Sequence, residues 1–369
     1  MLAYTIRRLL LIIPTLLGIM ILNFVIVQLA PGGPIDVVVA QLRGRSADPT
    51  ARVSGQGNET GRSQQGQQSQ QSGGGETRSR GAQGIDPRLL ADLRRQFGFD
   101  KPLHERFLLM MGQYLRFDFG ESFFRGRSVV SLVAEKMPVS ISLGLSTTLI
   151  IYLISIPLGI RKAVRDGSTF DVWTSGAIIV GYAIPSYLFA VLLIVFFAGG
   201  SFVQIFPLRG LVSDNYAQLT LLGQIADRLW HLVLPVASMV IGGFASLTML
   251  TKNSFLDEIN KQYVVTARSK GLTERRIFYG HIFRNAMLLV IAGFPGAFVA
   301  ILFSSSLMTE IIFSLDGLGL LGFEAAINRD YPVMFATLYF FTLLGLVMTI
   351  IRDLTYQFVD PRIDFEGRA

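Results

Sequence analysis

Few side chains in this sequence are spaced for chemistry. The three histidines, His104, His231 and His281, stand far apart, none has a partner at metal-ligand or triad spacing, and all three are read as structural. There is no cysteine, which removes disulfides, thiolate nucleophiles, Cys-bound zinc and iron–sulfur clusters. No HExxH, GxSxG or Walker A sequence occurs, so the chain has no phosphate cradle and cannot hydrolyse ATP alone. No catalytic residue and no metal site is assigned, and an enzyme is the least supported reading. What remains is a set of hydroxyls on apolar segments: Ser140, Ser142, Thr147, Thr148, Ser246, Thr248, Ser304, Ser305 and Ser306. One reading is that they line a cavity or path. Close packing of helices through small residues is the alternative.

The elements that hold these residues are set by composition. Of 369 residues 51% are hydrophobic and 16% charged, against about 25% charged in an ordinary soluble domain. The apolar residues come in blocks long enough to cross a bilayer, near ~20 residues each. Six spans are expected: Leu9–Ala30, Val139–Ile160, Trp173–Ala198, Leu229–Leu250, Ala286–Ile312 and Val333–Ile351. The first is not read as a signal peptide, because its apolar run is too long and Ala30-Pro31-Gly32 is a poor cleavage site.

The formal net charge is +7, but in a membrane protein the placement of charge matters more than its sum, and nucleic acid is not expected as a partner. Lysines and arginines crowd the N-terminus, residues 161–165, residues 252–284 and the C-terminus; the short loops on the opposite side hold only Arg209, Arg228 and Arg329. The positive-inside rule therefore places both termini in the cytoplasm. No Lys or Arg falls inside an expected span, and Glu310 is the one acidic candidate. Ion-coupled carriers place such groups near the midplane, so their scarcity counts against one.

Four regions follow. Residues 1–30 hold the N-terminus and first span, 31–138 an outer segment, 139–352 a five-span core and 353–369 a tail. Within the outer segment, 43–84 is Gly, Ser, Gln and Arg and reads as a disordered linker. From 85 to 136 a helical cap is expected, begun by Asp86-Pro87 and continued by Phe107, Met110, Met111 and Tyr114 at helical spacing.

Segment 252–285 is too long and too patterned for a connector. Tyr263, Val264 and Ala267 give one short helix an apolar face, and Gly271 ends it. Thr273 can cap a second, with Ile277, Phe278, His281 and Ile282 turned inward. A helix pair joined rigidly to two spans can act as a lever; positive charge that only sets topology is the plainer alternative. An ion-coupled carrier or channel, or a membrane anchor, would tolerate substitution here.

These residues also carry a family resemblance. Val265 to Gly271 (VTARSKG) resembles the EAA loop of binding-protein-dependent ABC importer permeases, which reads E-A-A, three residues, then Gly. Val265, Thr266 and Ala267 occupy the E-A-A places and Gly271 the Gly place, so one Ala and the Gly are kept. His281-Ile282-Phe283-Arg284-Asn285-Ala286 is similar to the H-x-x-R-N-A of the peptide and nickel branch. YTIRRLLLIIP (4–14), Phe97-Gly98-Phe99-Asp100-Lys101-Pro102, Glu310-Ile311-Ile312-Phe313-Ser314 and Val359-Asp360-Pro361-Arg362 look like B-type peptide permeases. SIPLGIRKAV (155–164) and FPLRGLVS (206–213) look closer still to one peptide importer of that branch, which also admits microcin C.

The resemblance implies an all-α integral membrane protein with six transmembrane helices, the type I ABC importer permease fold and a small helical periplasmic insertion after the first helix. It implies an inner-membrane transport subunit, not an enzyme, that moves peptides inward by alternating access. Because peptides vary in side chain, it also implies an uncharged polar wall to the path, for which the hydroxyls named above are the candidates. Its partners would be a C-type permease, two cytoplasmic ATPase domains that carry the ATP and Mg, a periplasmic binding protein and the bilayer. No cofactor would be bound by this chain. Val265, Thr266, Ala267 and Gly271 would be the coupling motif, Arg268 and Lys270 would face acidic groups on an ATPase, and His281, Arg284 and Asn285 would complete the coupling loop.

Overall fold

The computed structural model describes residues 2–29, 33–35, 37–38, 95, 99–200, 202–300 and 306–359. The expected linker over 43–84, the helix expected from Asp86 (Arg95 apart), Ser304, Ser305 and the tail from Asp360 lie outside them. Among the described residues the helices are α1 (Leu2–Leu29), α2 (Leu103–Tyr114), α3 (Val129–Val164), α4 (Thr169–Ala183), α5 (Ser186–Phe197), α6 (Leu221–Ile259), α7 (Gln262–Ser269), α8 (Glu274–Ile277), α9 (Phe283–Ala300), α10 (Ser306–Ile312), α11 (Leu318–Asn328) and α12 (Tyr331–Val359). Five stretches are long and apolar enough to cross a bilayer, and the pair α4–α5 makes a sixth if it counts as one span.

Hydrocarbon offers no partner for backbone N–H and C=O groups, so helices are the natural solution for such apolar segments. One proline marks a break. The segment expected as one straight span over Trp173–Ala198 is instead two helices bent by 94°. Pro185 disfavours helical backbone in the residue before it, and Ile184 is extended at φ −85°, ψ 119°. Helix α3 overruns its expected span at both ends and takes in Lys136 and Lys162. Where one span was expected over Ala286–Ile312, α9 ends at Ala300 and α10 begins at Ser306.

The chain divides into two units, Met1–Leu16 with Lys136–Leu320 and Phe340–Ala369, and Leu17–Glu135 with Leu321–Tyr339. In the first unit α3 and α6 approach closely. A Cβ on Gly159 would lie 2.6 Å from Thr251 Cβ and 2.8 Å from the Thr248 carbonyl oxygen. The Ser155 hydroxyl crosses the same seam to donate to the Phe244 carbonyl at 3.2 Å. Near the other end of α3, the fully buried Glu310 carboxylate accepts from the Ser140 hydroxyl at 3.2 Å and the Leu320 N–H at 2.7 Å. Ser140 in turn accepts from the Leu318 N–H at 2.8 Å. A Cβ on Gly317 would collide with both side chains.

In the second unit Met111 and Tyr114 are the buried face of α2, and Tyr114, Phe119 and Tyr339 pack ring on ring at 4.8–5.6 Å. Asp330 joins the ends of this unit. Its carboxylate accepts from the Ser122 hydroxyl at 2.5 Å and from the Phe123 N–H at 3.1 Å. Burial pushes its pKa up, against the pull of those donors.

The helix seam makes a contrast that can be tested. Gly159→Ala, which forces a methyl into the Thr248 backbone, is expected to destabilise the detergent-purified chain by about 1–3 kcal/mol. Gly112→Ala, which meets nothing within 4 Å, should be neutral or stabilising by up to about 1 kcal/mol. Equal melting temperatures for the two variants would contradict the close approach of α3 and α6.

Candidate coupling segment and translocation path

Helix α7 ends in a turn that only a few sequences can make. The Leu272 N–H donates to the Ala267 carbonyl at 3.3 Å and the Gly271 N–H to the Arg268 carbonyl at 2.9 Å. This pair of bonds closes a Schellman motif, which puts the residue after the cap in the left-handed region. That residue is Gly271, at φ +75°, where the lack of a Cβ removes the steric penalty.

The same turn lays α7 against the spanning helices. Val264 and Ala267 are buried with Phe255 of α6 and with Ile282, Ala286, Met287 and Val290, while Leu272 packs on the same cluster. Polar contacts pin the helix at its start. The Glu258 carboxylate accepts from the Tyr263 hydroxyl at 2.5 Å and pairs with Lys261. The Asn285 amide donates to the same Tyr263 oxygen at 3.3 Å. Burial, and then the neighbouring Glu258 carboxylate, push the Tyr263 phenol up to about 12, so it stays a donor at any physiological pH.

Of the expected coupling residues, Val265, Thr266, Arg268, Lys270, Gly271, His281, Arg284 and Asn285 are exposed and Ala267 faces the core. Four details depart from the expectation. The second short helix is not separate: α8 runs through a π turn, Phe278–Ile282, into α9. The extra residue in that turn places the buried Ile277 and Ile282 five apart, and His281, expected to face inward, is exposed. Thr273 stands at the cap position of α8 but its side chain makes no capping bond. The Arg268 guanidinium, expected to reach outward, spans the Gly271 turn to Glu274, with Nε to Oε1 at 2.8 Å and Nη2 to Oε2 at 3.2 Å.

The expected path residues separate by burial. Ser140, Thr147, Thr148 and Thr248 are buried. Ser140 belongs to the Glu310 cluster, Thr148 donates to the Gly144 carbonyl at 2.7 Å, and Thr147 lies 3.8 Å from the Met239 sulfur. Ser142 is half-buried and donates to the Val139 carbonyl at 2.8 Å. Ser246 is exposed on α6, one turn from the exposed Gly242. Ser304 and Ser305, and the side chain of Ser306, lie outside the described residues.

A polar cluster went unanticipated. Lys162, read from sequence as one of the topology-setting charges, is fully buried. Its ammonium donates to the Asp171 carbonyl at 2.9 Å, the Thr174 hydroxyl at 2.9 Å and the Ser175 hydroxyl at 2.7 Å. It also pairs with Asp171 Oδ1 at 2.9 Å. Lys252 of α6 reaches Asp171 Oδ2 at 2.7 Å and Asp166 Oδ1 at 2.8 Å. The available signal was an acid nine residues after a lysine across the Gly167-Ser168 turn. Alone it is too common to single out.

Comparison with known proteins identifies the family. The family model for the inner membrane component of binding-protein-dependent transport systems matches residues 155–365. The chain is 58% identical over 366 residues to the inner membrane ABC transporter permease protein YejB of Escherichia coli O157:H7, covering 99% of this chain and 100% of that protein. It is 59% identical over 369 residues to the peptidoglycan transport system permease protein YejB of Agrobacterium fabrum, covering 99% of each. To the oligopeptide transport system permease protein AppB of Bacillus subtilis it is 32% identical over 370 residues, covering 99% of this chain and 100% of that protein. With a match across more than half its length and relatives aligned end to end, the chain belongs to the family of inner membrane components of binding-protein-dependent transport systems.

Proposed function

We propose that the chain is the membrane-spanning permease of an ATP-driven peptide importer, and that α7 with the Gly271 turn is the surface on which an ATPase pushes. The observation that carries this reading is the two-faced character of α7. One face is packed on α6 and α9, and the other presents Val265, Thr266, Arg268 and Lys270 to solvent. A short helix so held cannot be displaced without moving two spanning helices, because packed cores shift as bodies rather than deforming continuously. Family membership leaves the ion-coupled carrier, the channel and the passive anchor without support.

The relatives' names supply the substrate class. One is named for peptidoglycan transport and another for oligopeptides, and the chemistry these share is a peptide. We read the cargo as peptides, including peptide-bearing cell-wall fragments and microcin C-like antibiotics, moved from periplasm to cytoplasm by alternating access. The assembly consists of this chain, a C-type permease, two cytoplasmic ATPase domains that hold ATP and Mg, and a periplasmic binding protein. Both termini and segment 252–285 are cytoplasmic in this reading, by the positive-inside distribution. The exposed Gly242 and Ser246 stripe of α6 is the part of the path wall we favour; the buried hydroxyls serve helix packing.

Gly271→Val forces a β-branched side chain to φ +75°, a strained conformation worth roughly 1–3 kcal/mol. The variant is expected to insert and to pair with its C-type partner, yet to lose ATP-driven uptake; uptake at the native rate would refute the coupling role. Pull-down in mild detergent should recover an ATPase with the native chain and lose it from a variant carrying Arg268→Glu and Lys270→Glu. Ser246→Trp should block uptake while ATPase binding is retained, and unhindered uptake would remove Ser246 from the path. Because the native chain has no cysteine, Asn58→Cys offers a clean topology probe. A membrane-impermeant maleimide should label it from the periplasmic side, and labelling only from the cytoplasm would reverse the orientation.

A further inference from the structure

We infer that Lys162, Asp171 and Lys252 are positioning residues that clamp the end of α3, the start of α4 and the base of α6 into one rigid body, so that a push on α7 reaches α3 and α4 as well as α6. The inference rests on the coupling role proposed for α7.

Three observations carry it. The first is burial. Lys162 has no exposed surface and Asp171 is 7% exposed at its side chain, so neither ion is solvated by bulk water. A buried charge is tolerable only while its partners stay in place, and removing or displacing one partner leaves the other ion uncompensated. The second is how the partners are distributed. Lys162 lies in the last turn of α3; Asp171, Thr174 and Ser175 belong to the first turns of α4; Lys252 belongs to α6. Each carboxylate oxygen of Asp171 takes a different lysine, Oδ1 that of α3 and Oδ2 that of α6. Sliding any one helix past the others would break a charge-assisted contact in a place where water cannot replace it.

The third is location. Lys252 stands seven residues before Ile259, the end of α6, and α7 begins at Gln262. The clamp therefore lies immediately above the segment that would receive the push. It also lies just below the seam where Gly159 meets Thr251, so tight packing and ion pairing hold the same helices over consecutive turns. A further contact closes the loop between α3 and α4. The Gly167 N–H donates to Asp171 Oδ2 at 3.2 Å, and the Ser168 hydroxyl accepts from the Asp171 N–H at 3.3 Å. The turn is thus built around the carboxylate.

A merely structural cluster and a force-transmitting one differ in what their loss does to coupling. The complete importer, reconstituted in liposomes with its binding protein, is measured for peptide taken up and ATP hydrolysed. Lys252→Met is the principal variant, because Lys252 keeps 13% of its side chain exposed and its loss is the mildest to folding. Lys162→Met and Asp171→Asn complete the set, and Lys252→Arg tests rescue by a retained charge. The expected result is an assembled complex that still binds the ATPase pair and hydrolyses ATP, with peptide moved per ATP reduced about tenfold, the usual scale of coupling between sites. Lys252→Arg should restore most of it. An unchanged ratio in Lys252→Met overturns the inference, even if the variant melts at a lower temperature. So does a fall in uptake matched by an equal fall in hydrolysis, with no rescue by arginine. If the native complex itself shows no ATP-driven uptake, it is the permease reading that fails, and the two failures are distinct.

Discussion

Helices α3 and α6 approach at Gly159 so closely that no Cβ fits between them, and the rest of the larger unit is arranged around that seam. In a membrane the hydrophobic effect does not drive helix against helix, since lipid is as apolar as leucine. Small residues, hydrogen bonds and ion pairs must then select which helices meet. Here they act in register along α3. Ser155 bonds to the α6 backbone, Gly159 admits Thr251, and Lys162 ends the row in the ion cluster with Asp171 and Lys252.

Below that seam the chain changes character. Helix α6 runs on to Ile259, the chain turns at Asn260 and Lys261, and α7 lies back across the base of α6 and that of α9. The Tyr263–Glu258 bond and the Schellman turn at Gly271 fix both ends of α7. A transport subunit without an ATP site of its own needs a part that receives motion and does not absorb it. In the coupling role proposed for α7, a helix buried on one face and bonded at both ends would meet that need, where a mobile loop would dissipate the push.

Much of this was legible in the residues. Apolar run length predicts where the spanning segments fall, though not that the third is bent, and the face formed by Tyr263, Val264 and Ala267 predicts α7. The placement of Gly271 predicts a left-handed turn, which is found at φ +75°. The family resemblance in 264–271 and 281–286 holds across the whole chain in its relatives. Each of these readings depends on neighbours in sequence: periodicity, a cap, a backbone conformation open mainly to glycine.

Other features were decided only when distant segments met. The bend at Pro185 was open to inspection as a residue, yet prolines also sit inside α3, α6 and α9 without ending them; which proline breaks a helix depends on what surrounds it. The π turn at Phe278–Ile282 changes the period of the buried face, so the 3.6-residue pattern sends His281 inward when it faces solvent. Lys162 looks the same in sequence as Arg161 and Arg165, and only packing against Asp171 and the start of α4 distinguishes a buried ion from a solvated one. Local patterns encode what a residue prefers within its own helix. The partner that satisfies a buried charge comes from elsewhere in the chain, and that partnership exists only in the folded protein.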